Sequence, residues 1–74
     1  MIEKAPRVRR DYLWAHAEIL AGGKVTRFEA RWFIRLTENR MCTYRIDGAG
    51  NPVFVGLTTL SGADLMARDW VSYE

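Results

Sequence analysis

Nine arginines stand against two lysines in this 74-residue chain, and they are the main chemical resource it carries. A guanidinium fork grips a phosphate or carboxylate through two hydrogen bonds, which lysine's point charge does not match. GC-rich coding produces the same excess, so the bias alone does not choose a partner. The other reactive types are one cysteine, Cys42, and one histidine, His16. Together they fall short of the four N or S ligands of a structural zinc site, so neither a metal nor a cofactor is expected. His16 falls on a separate predicted helix and nothing marks a third partner, which makes Cys42 a small apolar filler rather than a nucleophile. No paired carboxylates flank a glycine-rich loop, and Gly48-Ala49-Gly50 reads as a hairpin turn, not a phosphate cradle. The expectation is a binding protein, not an enzyme.

Size and charge narrow the setting. A chain of this length forms one domain that buries about 60% of its unfolded surface, a marginal core. The single cysteine excludes an internal disulfide, so self-association is the expected support. An unpaired thiol fits a reducing, cytoplasmic environment. No apolar run of leader length follows Arg10, and no stretch approaches a membrane span. Lys4, Arg7, Arg9 and Arg10 against Glu3 give the first ten residues a charge of +3, leaving −1 on the rest. Residues 1–10 therefore read as a flexible basic arm able to touch nucleic acid, and 11–74 as the folded domain.

The elements that must position these residues follow from periodicity. Asp11 stands where an N-cap belongs, ahead of a helix from Tyr12 to Ala21, with Leu13, Ala17, Leu20 and Ala21 on one face beside Trp14. Gly22-Gly23 supplies the left-handed stop. The period then becomes two. Val25–Phe28 reads as a strand; Trp32, Ile34 and Leu36 alternate with Phe33, Arg35 and Thr37 in the next. Glu38-Asn39-Arg40 is a turn, after which Cys42, Tyr44 and Ile46 alternate with Met41, Thr43 and Arg45. Asp47–Asn51 accepts positive φ and predicts a hairpin. Pro52 opens a strand carrying Val53, Val55 and Leu57, Ser61 or Asp64 caps a short helical turn, and Trp70-Val71 is extended. The fold class is α+β: one N-terminal helix on a four- to five-stranded antiparallel meander. The face away from the helix would carry Phe28, Phe33, Phe54 and Met41, more apolar surface than a monomer usually exposes.

The order of helix, double glycine, Lys24-Val25-Thr26-Arg27, Trp32, hairpin and Asp64-Leu65-Met66-Ala67-Arg68-Asp69-Trp70 resembles one family of small phage proteins, the second type of Thoeris anti-defence protein. Members finish on Asp-Leu-Leu-Ala-Glu-Asp-Trp, which this chain matches at five of seven positions. Met66 and Arg68 are the departures. Trp32 also lies five residues after Arg27 where members place three, and the Asn-Gly and long insertion that follow there are missing. The resemblance implies a non-enzymatic sponge that oligomerises, binds cyclic ADP-ribose-type or related cyclic nucleotide signals, and starves a bacterial defence effector of its activator. It implies that Trp32 stacks on a base, that Arg27 and Arg31 fork onto phosphates, and that Arg35 and Asp69 are also ligand-binding residues.

Structural roles compete for the same residues. Trp32 shares a strand face with Ile34 and Leu36, as a core residue does. Trp70 beside Asp69 is placed to pin the last strand to the core, and Asp64 to cap a turn. His16 reads as a boundary residue, and Arg45–Asp47 and Arg68–Asp69 as solvated charges. Arg27, Arg31 and Arg35 converging on an aromatic-walled cleft would point to a nucleotide. The same arginines spread over a surface would point to a host defence protein occluded in the manner of anti-CRISPR inhibitors. A DNA-binding module using residues 4–10 is the third class, recognisable by its steep salt dependence.

Overall fold

The computed structural model describes residues 10–73. Helix α1 spans Tyr12–Leu20 and is bounded as its sequence dictates. The Asp11 carboxylate accepts the Trp14 N–H at 3.1 Å, which satisfies one of the orphan donors of the first turn. At the other end Gly22 has φ +95°. The Gly23 N–H reaches the Glu18 carbonyl at 2.9 Å and the Gly22 N–H reaches Ile19 at 3.0 Å. This paired closure, with the left-handed residue after the C-cap, is a Schellman motif.

Five strands follow: β1 Val25–Arg27, β2 Trp32–Thr37, β3 Arg40–Ile46, β4 Pro52–Leu57 and β5 Trp70–Ser72, with the one-turn helix α2, Gly62–Met66, between the last two. The sheet is antiparallel in the order β4-β3-β2-β1-β5. The expected α+β architecture is therefore present, with one change of topology. The meander runs from β1 to β4, and the chain then returns through α2 to lay β5 on the far side of β1, pairing Val25 with Ser72 and Arg27 with Trp70. Arg10 bridges the outer side of Trp70 through two backbone hydrogen bonds of 2.9 and 3.0 Å. Of the expected arm, residues 1–10, Arg10 is described and residues 1–9 lie outside the described residues.

The β2–β3 hairpin closes on two residues, Glu38 and Asn39, with φ +54° and +66°. Two successive positive φ values give the twist that a tight hairpin needs. The predicted three-residue turn thus loses Arg40 to the strand, where it pairs with Thr37. The β3–β4 hairpin is held by Asp47, whose carboxylate accepts the N–H groups of Ala49 and Asn51 at 2.9 and 2.8 Å. A bulge between Thr43 and Tyr44 of β3 and the facing Phe54–Gly56 of β4 breaks the register once.

The core lies between α1 and one sheet face: Ala15, Ile19, Val25, Ile34 and Trp70 are fully buried there. The expected helix face is corrected by this arrangement. Leu13 is 79% exposed and Leu20 60%, while Ala15 and Ile19 face the sheet. Small Ala15 lets the helix come close, and the volume is filled from below by Trp70, whose ring meets Tyr12 and Trp32 edge-on at 5.5 and 5.9 Å. Met41 also belongs to this face, packed against the core cluster. The opposite face is less bare than the pattern implied. Phe33 is buried, stacked between Tyr44 at 5.2 Å and Tyr73 at 4.7 Å, with the Lys24 ammonium over its ring. Thr26, Cys42 and Val71 are buried too, whereas Phe28 and Phe54 are exposed.

Candidate functional site

On the α1 side of the sheet, beyond the core, a cleft of about 380 Å³ opens between β2–β4 and the segment leading into α2. Its floor is set by cross-strand register. The two-residue Glu38-Asn39 loop puts Trp32 opposite Arg45 and Ile34 opposite Thr43. Side chains at facing positions share a face, so the indole and the guanidinium become neighbours on the cleft side. Thr58, Thr59, Leu60 and Asp64 form the other wall, and Val55 the outer margin. The Thr43 and Thr58 hydroxyls are 3.0 Å apart and tie the wall to the floor.

Asp64 is held in place by its own capping box. The Ser61 hydroxyl accepts the Asp64 N–H at 3.2 Å, and the Asp64 carboxylate accepts the Ser61 N–H at 3.1 Å. The same carboxylate takes the Arg27 guanidinium at 3.1 Å. Burial pushes the Asp64 carboxyl up, but the Ser61 donors and Arg27 outweigh it and hold the group below the ordinary carboxylate range. Asp64 therefore enters the cleft as a carboxylate paired with Arg27, a guanidinium it shares with Asp69, while Arg45 is exposed. The cleft combines an aromatic wall, a cation, three threonine hydroxyls and an apolar floor. That chemistry suits a planar ring carrying an anionic group. Cys42 lies outside the cleft, buried opposite Arg35 on the far face, and His16 is on α1 with Nδ1 3.2 Å from the Tyr12 hydroxyl. Among the described residues no cluster of three or more metal-ligating side chains exists.

The residues expected to form a site are only partly brought together. Arg27 and Asp69 meet, in a two-pronged pair with Nε 2.7 Å and Nη2 3.3 Å from the carboxylate. With Asp64 on Nη1, this arginine clamps β1 to α2 and to the residue before β5, and both carboxylates raise its pKa further. Trp32 lies in the adjoining cleft, half-buried against Trp70. Arg31 is exposed in the β1–β2 connection, its carbonyl accepting the Ile46 N–H. Arg35 is exposed on the opposite face, its Nε 3.3 Å from the Leu36 carbonyl. The three arginines do not converge. The cation that shares Trp32's cleft is Arg45, which sequence reading assigned to the solvated surface. Its signal was the length of the Glu38-Asn39 loop: with a two-residue turn the indices 32 and 45 face each other, and with a longer one they do not.

No family model, curated protein or solved structure matches this chain. Among the described residues no helix is long and apolar enough to cross a membrane.

Proposed function

We propose that the chain is a non-catalytic binding protein that sequesters a small cyclic nucleotide-type signal in the cleft of Trp32, Arg45 and Asp64. The observation that carries this reading is the pairing of Trp32 with Arg45 across β2 and β3, in a cleft of about 380 Å³. A base stacked on the indole gains about 1–3 kcal/mol, and the Arg45 fork is suited to a phosphate on the same ligand. Threonine hydroxyls and Asp64 supply partners for sugar hydroxyls. Capture without turnover acts by mass action, lowering free signal in proportion to the protein present. Cytoplasmic phage counter-defence, starving a host effector of its activator, is the setting that the carboxyl-terminal motif's resemblance to Thoeris anti-defence proteins supports.

The test is the melting temperature of the purified protein with and without cyclic ADP-ribose isomers and cyclic dinucleotides. A rise of several degrees with one of them, growing with ligand concentration, is expected. No shift with any would remove the reading. It would leave the second, a protein-occluding inhibitor of a host defence complex, which is favoured by the dispersal of Arg31 and Arg35 over exposed surface.

A further inference from the structure

The two edges of the sheet are finished differently. Beyond β5 the backbone of Arg10 pairs with Trp70, whereas β4 has no strand beyond it among the described residues. An open edge presents unpaired N–H and C=O groups to any extended chain, and proteins usually guard it with charge. On β4 itself that charge is absent. The sixteen residues from Gly48 to Ala63 contain no charged side chain, in a chain that is 27% charged. Pro52 and the bulge are the only interruptions. Phe54, Val55 and Leu57 are each about 60% exposed on this strand.

The hydrogen-bond phase identifies what the edge offers. The Asp47 N–H bonds to Asn51 and the Thr58 N–H to Met41, so those pairs point their backbone groups at each other. Alternation from both ends then turns the N–H and C=O of Phe54 and Leu57 outward. The bulge between them brings both residues into the same phase, on the same sheet face, opposite Tyr44 and Cys42. A two-fold axis between Val55 and Gly56 would place Phe54 of one copy against Leu57 of the other, twice, with both backbone groups of each residue satisfied. We propose that β4 is the self-association edge of this protein, pairing antiparallel with β4 of a second copy into a continuous ten-stranded sheet.

Several features select a second copy over another extended segment. The donor and acceptor positions are self-complementary about one axis, as an isologous interface requires. The absence of charge on the strand removes like-charge repulsion between identical edges. The aromatic row Tyr73, Phe33, Tyr44, Phe54 ends on an exposed ring at this edge, and the partner's Leu57 would cover it. The contact is one six-residue strand per copy, smaller than the roughly 800 Å² per partner of a standard interface, so the dimer is concentration-dependent. This proposal stands independently of the cleft.

Sedimentation velocity across a concentration series, with amide exchange read residue by residue, tests it. The expected result is a monomer–dimer equilibrium in which exchange at the Phe54 and Leu57 amides slows as concentration rises. Phe54→Lys is expected to abolish the dimer while keeping the circular dichroism of the monomer. A protein that stays monomeric at NMR concentrations would overturn the proposal. So would a dimer in which those two amides exchange at the same rate at every concentration.

Discussion

Trp70 is the residue on which the core and the carboxyl-terminal return both depend, and replacing it by Phe is the sharpest test of the packing. The indole is fully buried, touches Tyr12 and Trp32 edge-on, and donates Nε1–H to the Asp64 carbonyl at 3.0 Å. Trp70→Ala would cost about 3–5 kcal/mol through cavity formation. A chain of this size holds only about 4–11 kcal/mol in total, on 0.05–0.15 kcal/mol per residue, so the alanine variant is expected to be largely unfolded on warming. Phe keeps an aromatic ring in the space but removes the indole donor, leaving the Asp64 carbonyl with the longer 3.3 Å bond from the Ala67 N–H. The net worth of one such hydrogen bond is about 0.5–1.5 kcal/mol. In a domain of this length each kcal/mol moves Tm by about 4–8 °C, so a central cost of about 1 kcal/mol lowers it by about 4–8 °C. Thermal unfolding followed by circular dichroism reads this directly. A Trp70→Phe protein that melts within a couple of degrees of the parent would show that the indole N–H holds nothing, and that α2 is not tied to the core through it.

Two further outcomes follow from the same geometry. Asp64 is held below its ordinary range in the fold, so its contribution is present above the unfolded carboxylate pKa and is lost as pH falls through the folded one. Melting temperature should drop on acidification below about pH 4; Asp64→Asn should be less stable near neutrality and converge with the parent in acid, and parallel curves would refute the Arg27 clamp. Gly22→Ala forces a side chain to φ +95° and should cost about 1–2 kcal/mol, measured by urea unfolding; an unchanged midpoint would mean that the Schellman closure is dispensable.

Local chemistry was the legible part of this protein. Asp11, the double glycine, Asp47 and Ser61 each act within five residues along the chain, and each terminates or caps the element it was expected to. What sequence did not reveal depends on pairs far apart. Leu13 and Leu20 look like core residues to a hydrophobicity pattern, yet Ala15 and Ile19 are buried because Trp70, over fifty residues away, fills the space beneath the helix. The crossing of β5 to the far side of β1 is invisible to strand periodicity, and with it the Arg27–Asp69–Asp64 clamp. Arg45 entered the cleft through the length of a single turn. A one-residue slip there would have turned it to the opposite face.

The measurement closest to the central claim is calorimetric titration of cyclic ADP-ribose isomers and cyclic dinucleotides into the parent protein and into Trp32→Ala and Arg45→Gln, with the ligand recovered afterwards. Saturable heat is expected with one of these ligands, with at least tenfold weaker binding in each variant and the ligand returned chemically intact. Absence of heat from every ligand with a folded parent, or equal affinity in both variants, would contradict the claim.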